Sequence, residues 1–193
     1  MSIFDSLNVD YSILYSKAYI LLAILLPSCS VIVDKPSTFD IMGTYATQQD
    51  EHLGGEYSCD AHFDTFQHFT PFGLATSANT ALTFNFDGLF EFPSLTLNYE
   101  LSIDGDWSFE DSIISVDVDT ASFSYTYINS TAHNYTEESM VRYLRKEVDN
   151  SIAKVLCERL RSSNVSDMRL LSLSDSVMQV SVGDTIVINM HRQ

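Results

Sequence analysis

No lysine or arginine occurs between Pro36 and Val141. The chain of 193 residues carries a formal net charge of −16. Such a surface repels nucleic-acid phosphate and anionic lipid, so nucleic acid is excluded as a partner, while a basic protein remains an electrostatic match. Six of the ten basic residues fall between Arg142 and Arg161. That placement fits an acidic β region followed by one solvated helix of mixed charge. A membrane span is missing as well. It needs about 20 apolar residues, and the stretch from Ala18 to Leu26 has nine. Gly-x-Ser-x-Gly, the P-loop and Gly-x-Gly-x-x-Gly are all absent. So are internal repeats and low-complexity tracts.

Cysteine is scarce, with three in the chain: Cys29, Cys59 and Cys157. None stands in a recognised cysteine–histidine pattern, which argues against a catalytic thiol. Cys59 and Cys157 are candidates for a disulfide in an oxidising compartment, with two free buried thiols as the alternative. His52, Cys59, Asp60, His62, Asp64 and His68 share one segment, but their spacing matches no metal motif. Asp104, Asp106, Glu110 and Asp111 lack the glycine position and bidentate glutamate of an EF-hand, and read as a β-turn. No metal or cofactor is expected. No carboxylate pair is singled out for glycosidase chemistry. Three Asn-x-Ser/Thr sequons, at Asn129, Asn134 and Asn164, would matter only in a eukaryotic secreted protein.

Alternation dominates what is present. Asp40–Thr47 reads as a first strand, and Gly54-Gly55 opens an irregular segment through Pro71. Ala81–Phe92 reads as a hairpin around Asp87-Gly88-Leu89, which pairs Phe86 with Phe90 and Phe84 with Phe92. Leu95, Leu97, Tyr99, Leu101 and Ile103 form the next strand, and Asp104-Gly105 turns the chain. Trp107 and Phe109 follow. Ile114, Val116 and Val118 form a further strand, and Phe123, Tyr125 and Tyr127 another. One dry and one wet face per strand means an antiparallel sheet. From Thr136, the expected N-cap, to Arg161 the period changes to that of a helix, with Met140, Tyr143 or Leu144, Val148, Ile152, Val155, Leu156 and Leu160 on its apolar stripe. Strands return near Arg169, and Val177–Val182 and Thr185–Met190 make a last hairpin. The fold class is therefore mainly β: an antiparallel curved sheet or small barrel of about eight strands, with one long amphipathic helix inserted before the last strands.

Lys17 precedes the apolar stretch, and Leu26-Pro27-Ser28-Cys29 ends it. This order resembles the signal and lipobox of bacterial lipoproteins, in which the cysteine is lipidated and becomes the first residue. The resemblance implies a signal peptide over 1–28, a lipidated tether over 29–38 and a domain over 39–193. Cys29 would then carry a diacylglycerol and a fatty acyl chain such as palmitate. It would anchor the protein to an envelope membrane, the outer membrane foremost, without spanning it. An ordinary cleaved signal or a buried segment with an incidental cysteine are the alternatives.

Gly43-Thr44-Tyr45, "LTFNFDGLFEF", "LSIDGDWSFEDSIISV" and "LLSLSDSVMQVSVGDTIVINMHR" together resemble the lipocalin-like (calycin-like) domains of small bacterial lipoproteins. In that family a Gly-x-aromatic opens the barrel and a terminal arginine, here Arg192, follows the closing strands. The helix lies before the last strands, whereas lipocalins place theirs after the barrel. The function expected is non-enzymatic binding of a small apolar ligand or another envelope component. Trp107, Phe84, Phe86, Phe109 and Tyr125 are the candidate lining residues, although side chains usually fill small barrels. The alternative is an acidic inhibitor or assembly factor that binds a basic protein.

Overall fold

The structure is a computed structural model that describes residues 36–53, 57–164, 167–183 and 185–193. The expected signal peptide, Cys29 and most of the tether lie outside these residues. Pro36–Gln193 form one compact unit. After a short helix α1 (Thr38–Ile41) come five long strands: β1 (Gly43–Leu53), β2 (Ser58–Thr70), β3 (Gly73–Asn85), β4 (Ser94–Glu110) and β5 (Ile113–Ser130). Helix α2 (Tyr135–Glu147), a wide π turn (Val148–Ile152) and helix α3 (Ala153–Ser163) follow as one continuous rod. Three short strands end the chain: β6 (Asp167–Leu173), β7 (Val177–Val182) and β8 (Ile186–Arg192). All pairings are antiparallel between chain neighbours, and β8 returns to β1 through Tyr45↔Arg192 and Ala46↔His191, which closes the sheet on itself.

The closure is uneven. β5 meets β6 over Ile113–Ser115 only, and β8 meets β1 over two residue pairs. Short strands thus seal one end of the ring, called here the near end because Pro36 leads into it. The 13-residue strands β2 and β3 run on for about 40 Å at ~3.3 Å per residue to a far end. Beyond the short strands, the helical rod takes the place of the missing wall. Its residues Val141, Leu144, Val148, Ile152, Leu156 and Leu160 share one core cluster with Leu82, Phe84, Leu97, Tyr99, Leu101 and Ile103. A second cluster fills the near end with Tyr45, Phe69, Leu74, Ile114, Met168, Met178, Val180 and Met190.

The π turn has a geometric cause. From Leu144 the buried positions step by four residues, and four residues overshoot one α turn by about 40°. A wider turn between Val148 and Ile152 returns the stripe to the sheet. Ser151 supports it by donating from Oγ to the Glu147 carbonyl at 2.9 Å. At its start the rod is capped by Asn134, whose Oδ1 accepts from Glu137 N at 3.0 Å. At its end Asn164 turns inward. Its Oδ1 accepts from Gln67 Nε2 at 2.6 Å and Thr76 Oγ at 2.8 Å, and its Nδ2 donates to the Leu160 carbonyl at 2.8 Å. All three side chains are buried. This polar knot ties the helix end to the inner face of β2 and β3.

Several sequence expectations are corrected. Asp40 and Ile41 belong to α1, so the first strand starts at Gly43, and the compact unit already includes the last tether residues. The segment expected to be irregular through Pro71 is mostly β2, whose inward positions are Cys59, Ala61, Phe63, Thr65, Gln67 and Phe69. The phenylalanine hairpin pairs Phe84 with Leu95, not Phe92, and residues 86–93 form a loop. Asp104-Gly105 is not a turn. It lies inside β4 at a bulge, where a Cβ on Gly105 would stand 2.5 Å from the Asp117 carbonyl oxygen. The turn falls at Asp111-Ser112, both with positive φ. The two strands expected at Ile114 and Phe123 are one strand, β5. The cap is Asn134 rather than Thr136, and Tyr143 and Val155 face partly to water. The Asn164 amide is buried and bonded through both its oxygen and its nitrogen, so it does not present an open sequon.

Asn164→Ala removes an acceptor from two buried donors and a donor from one carbonyl. It is expected to cost about 2–3 kcal/mol in urea unfolding, whereas Asn129→Ala on the exposed face should change stability by less than about 0.5 kcal/mol.

Candidate functional site

The candidate lining residues do not converge on one cavity. Phe84 and Phe86 sit in the far cluster with the helix. Trp107 and Phe109 pack on the near cluster. The Trp107 indole N–H donates to the Thr70 carbonyl at 2.8 Å, and its ring meets Phe69 edge-on at 5.1 Å. Tyr125 faces the rod and donates to Asp149 Oδ1 at 3.2 Å. Beside it Arg145 lies 4.2 Å over the Tyr127 ring. Tyr99, enclosed between them, has its phenol pKa raised by burial. These contacts hold the rod to β4 and β5.

The loop of residues 86–93 supplies the concavity. After β3 the chain makes a turn in which Leu89 N donates to the Phe86 carbonyl at 2.8 Å, with positive φ at Asp87 and Gly88. Phe86 is drawn into the core by edge-on contacts with Tyr57, Phe90 and Phe92 at 5.1–5.3 Å, and Phe90 stacks on Phe92 at 5.4 Å. Between this loop and the start of α2 lies an open cleft of about 840 Å³. Its lining is mixed: Leu89, Phe90, Phe92 and Tyr135 stand beside Glu91, Asn134, Thr136 and Glu137. Leu89 is 71% exposed and Tyr135 77% exposed. The sequence signal was present in "FDGLFEF", but strand pairing was the wrong geometry for it. The cleft can bind an apolar body through ring and aliphatic contacts. The α2 N-terminus is already occupied, since Glu137 accepts from His133 N at 2.6 Å and Asn134 Nδ2 at 2.7 Å.

The histidine-rich segment becomes a ladder on the outer face of β1 and β2. His52 Nδ1 lies 2.8 Å from Asp60 Oδ1, and His62 Nδ1 lies 2.6 Å from Asp50 Oδ1. His62 Nε2 is 3.4 Å from Asp64. His52 leads the groups that hold Asp60 below the usual carboxylate range, with Asn85 adding to it. Asp50 leads those that raise His62, and Asp64 adds to it. Among the described residues no group of three or more His, Cys, Asp or Glu converges to hold a metal. Cys59 and Cys157 are both free thiols rather than the disulfide considered from sequence. Both pack in the far cluster, and burial pushes the Cys59 thiol up to about 12. Arg159 Nε is 2.8 Å from Glu51 Oε2, an ion pair by distance without an aligned hydrogen bond.

The outer face of β4 and β5 carries like charges in register. Asp104 pairs with Asp119 and Asp106 with Asp117, all exposed. Carboxylates directly opposite one another repel and cost stability. Compared with protein-family models and with curated proteins, the chain matches none significantly.

His62 titrates above its ordinary value of 6.5 in the fold. Its stabilising contribution is therefore complete below pH 6.5 and fades as pH rises through the raised pKa. An NMR titration should place the His62 midpoint above 6.5, and Asp50→Asn should lower it.

Proposed function

We propose that this chain is a non-enzymatic, lipid-anchored binding protein of the bacterial cell envelope, with a lipocalin-like domain. The cleft at its far end takes a small apolar ligand or the apolar part of another envelope component. The observation that carries the reading is the cleft in which Leu89, Phe90, Phe92 and Tyr135 supply ring and aliphatic surface beside Glu91 and Glu137. It stands about 40 Å of strand away from the end at which Pro36 joins the domain. An anchor on Cys29 would thus hold the near end at the membrane, outer membrane foremost, and present the cleft away from it. Support for the lipocalin-like part comes from the closure contact. Gly43 has φ of 145°, and Arg192 Nε would lie 3.1 Å from a Cβ there. The same guanidinium donates to the Met42 carbonyl at 2.6 Å and sits 5.8 Å over the Tyr45 ring.

Ligand binding inside the ring is disfavoured, because the helix and the two core clusters occupy the interior. The second reading, capture of a basic protein, is favoured by the facing carboxylates Asp104/Asp119 and Asp106/Asp117. A cation-rich partner would relieve their repulsion.

The neutral fluorophore N-phenyl-1-naphthylamine separates the two. On the apolar-ligand reading it binds, and Leu89→Ser with Tyr135→Ser weakens binding by roughly tenfold, while Trp107→Phe leaves it unchanged. No binding by the fluorophore, together with salt-sensitive capture of a basic protein lost in Asp106→Asn/Asp117→Asn, would replace the first reading with the second.

A further inference from the structure

At the near end two phenylalanines stand in water. Phe72 at the tip of the β2–β3 turn is 95% exposed, and Phe39 in α1 is 78% exposed. Leaving such rings hydrated is unfavourable, and a loose turn would fold them onto the protein. This turn is braced. Thr70 Oγ donates to the Gly73 carbonyl at 2.9 Å and accepts from Phe72 N at 3.2 Å. The Trp107 indole holds the Thr70 carbonyl from the other side. Helix α1 is fixed as well. Asp40 Oδ2 accepts from Ser37 N and Ser37 Oγ, both at 2.7 Å, and Ile41 is fully buried. Two residues along a helix turn the side chain by about 200°, so the buried Ile41 leaves Phe39 on the outward side. Ile113, the first residue of β5, adds partly exposed apolar surface at the same end.

We propose that this end is a membrane-resting face, on which Phe72 and Phe39 enter the headgroup region of a zwitterionic phospholipid surface with no net charge. The direction rests on the anchoring reading of Cys29. Six residues separate Cys29 from Pro36, a span of at most about 25 Å, so a lipid on Cys29 reaches the near end and not the far one. Charge sets the lipid class. Asp40, Asp106, Glu110, Asp111 and Asp175 outnumber Arg169 and Arg192 at this end, which disfavours anionic headgroups. The apolar contact is short and rigid, as suits a face that orients a tethered domain rather than anchoring it alone.

The test uses the mature chain that the anchoring reading implies, residues 29–193 with Cys29→Ala, co-sedimented with phosphatidylcholine vesicles, against the same chain with Phe39→Ser and Phe72→Ser. The expected result is a loss of vesicle affinity of roughly tenfold or more in the double substitution, with an unchanged Tm because both rings face water. An equimolar admixture of phosphatidylglycerol should weaken binding of the parent. Affinities within about twofold of each other, a parent that does not bind vesicles, or a dimer in sedimentation velocity that the substitutions abolish would each overturn the proposal. Mass spectrometry of the membrane-extracted wild-type chain separately tests the lipid on Cys29. Its absence would remove the anchor while leaving the phenylalanine result to stand or fall by itself.

Discussion

The burial of one helical rod against the inner face of the sheet is the constraint on which the rest of the structure depends. Three short strands seal only the near end, and β5 leaves β6 after three residue pairs. Past that point the concave face of β2–β5 would lie open to water without Leu144, Val148, Leu156 and Leu160. Apolar burial supplies the drive and the π turn supplies the alignment. The Asn164–Gln67–Thr76 knot fixes how deep the rod seats. If the helix slid by a turn, the buried Asn164 would lose Gln67 and Thr76 together and keep only Leu160, which moves with the rod.

This division of labour separates the two ends by chemistry. The near end closes through Gly43, Tyr45 and Arg192, and Thr70 and Trp107 brace its β2–β3 turn. The far end carries the less regular loop of residues 86–93, whose rings meet Tyr57 and overhang the start of α2. Binding surfaces placed on such loops gain precision from the scaffold beneath them. Between the ends, the facing pairs Asp104/Asp119 and Asp106/Asp117 make the outer wall of β4 and β5 acidic.

The sequence revealed elements wherever apolar residues of one size alternated. Leu95 to Ile103, the helix stripe and the last hairpin were legible for that reason. β2 was hidden because its inward residues include Cys59, Ala61, Thr65 and Gln67, while Phe66 points outward. The first half of β3 was hidden likewise, since Thr76, Ala78 and Thr80 fill its inward positions. Gln67 and Thr76 look like surface residues until Asn164 arrives from 88 or more positions away to bond them. Asp104-Gly105 misled for a different reason. The glycine serves close strand approach rather than a turn, and local sequence does not distinguish the two. The cleft was half visible: "FDGLFEF" announced an aromatic group, but its partner Tyr135 lies across the fold.

Native-state hydrogen exchange tests the central claim most directly. If the rod is integral to the core, amides of Val148–Leu160 exchange only with global unfolding, at the same free energy as those of β2 and β3. Exchange of the rod at a free energy several kcal/mol below that of the sheet would mean that the ring stands without it, and would contradict the account.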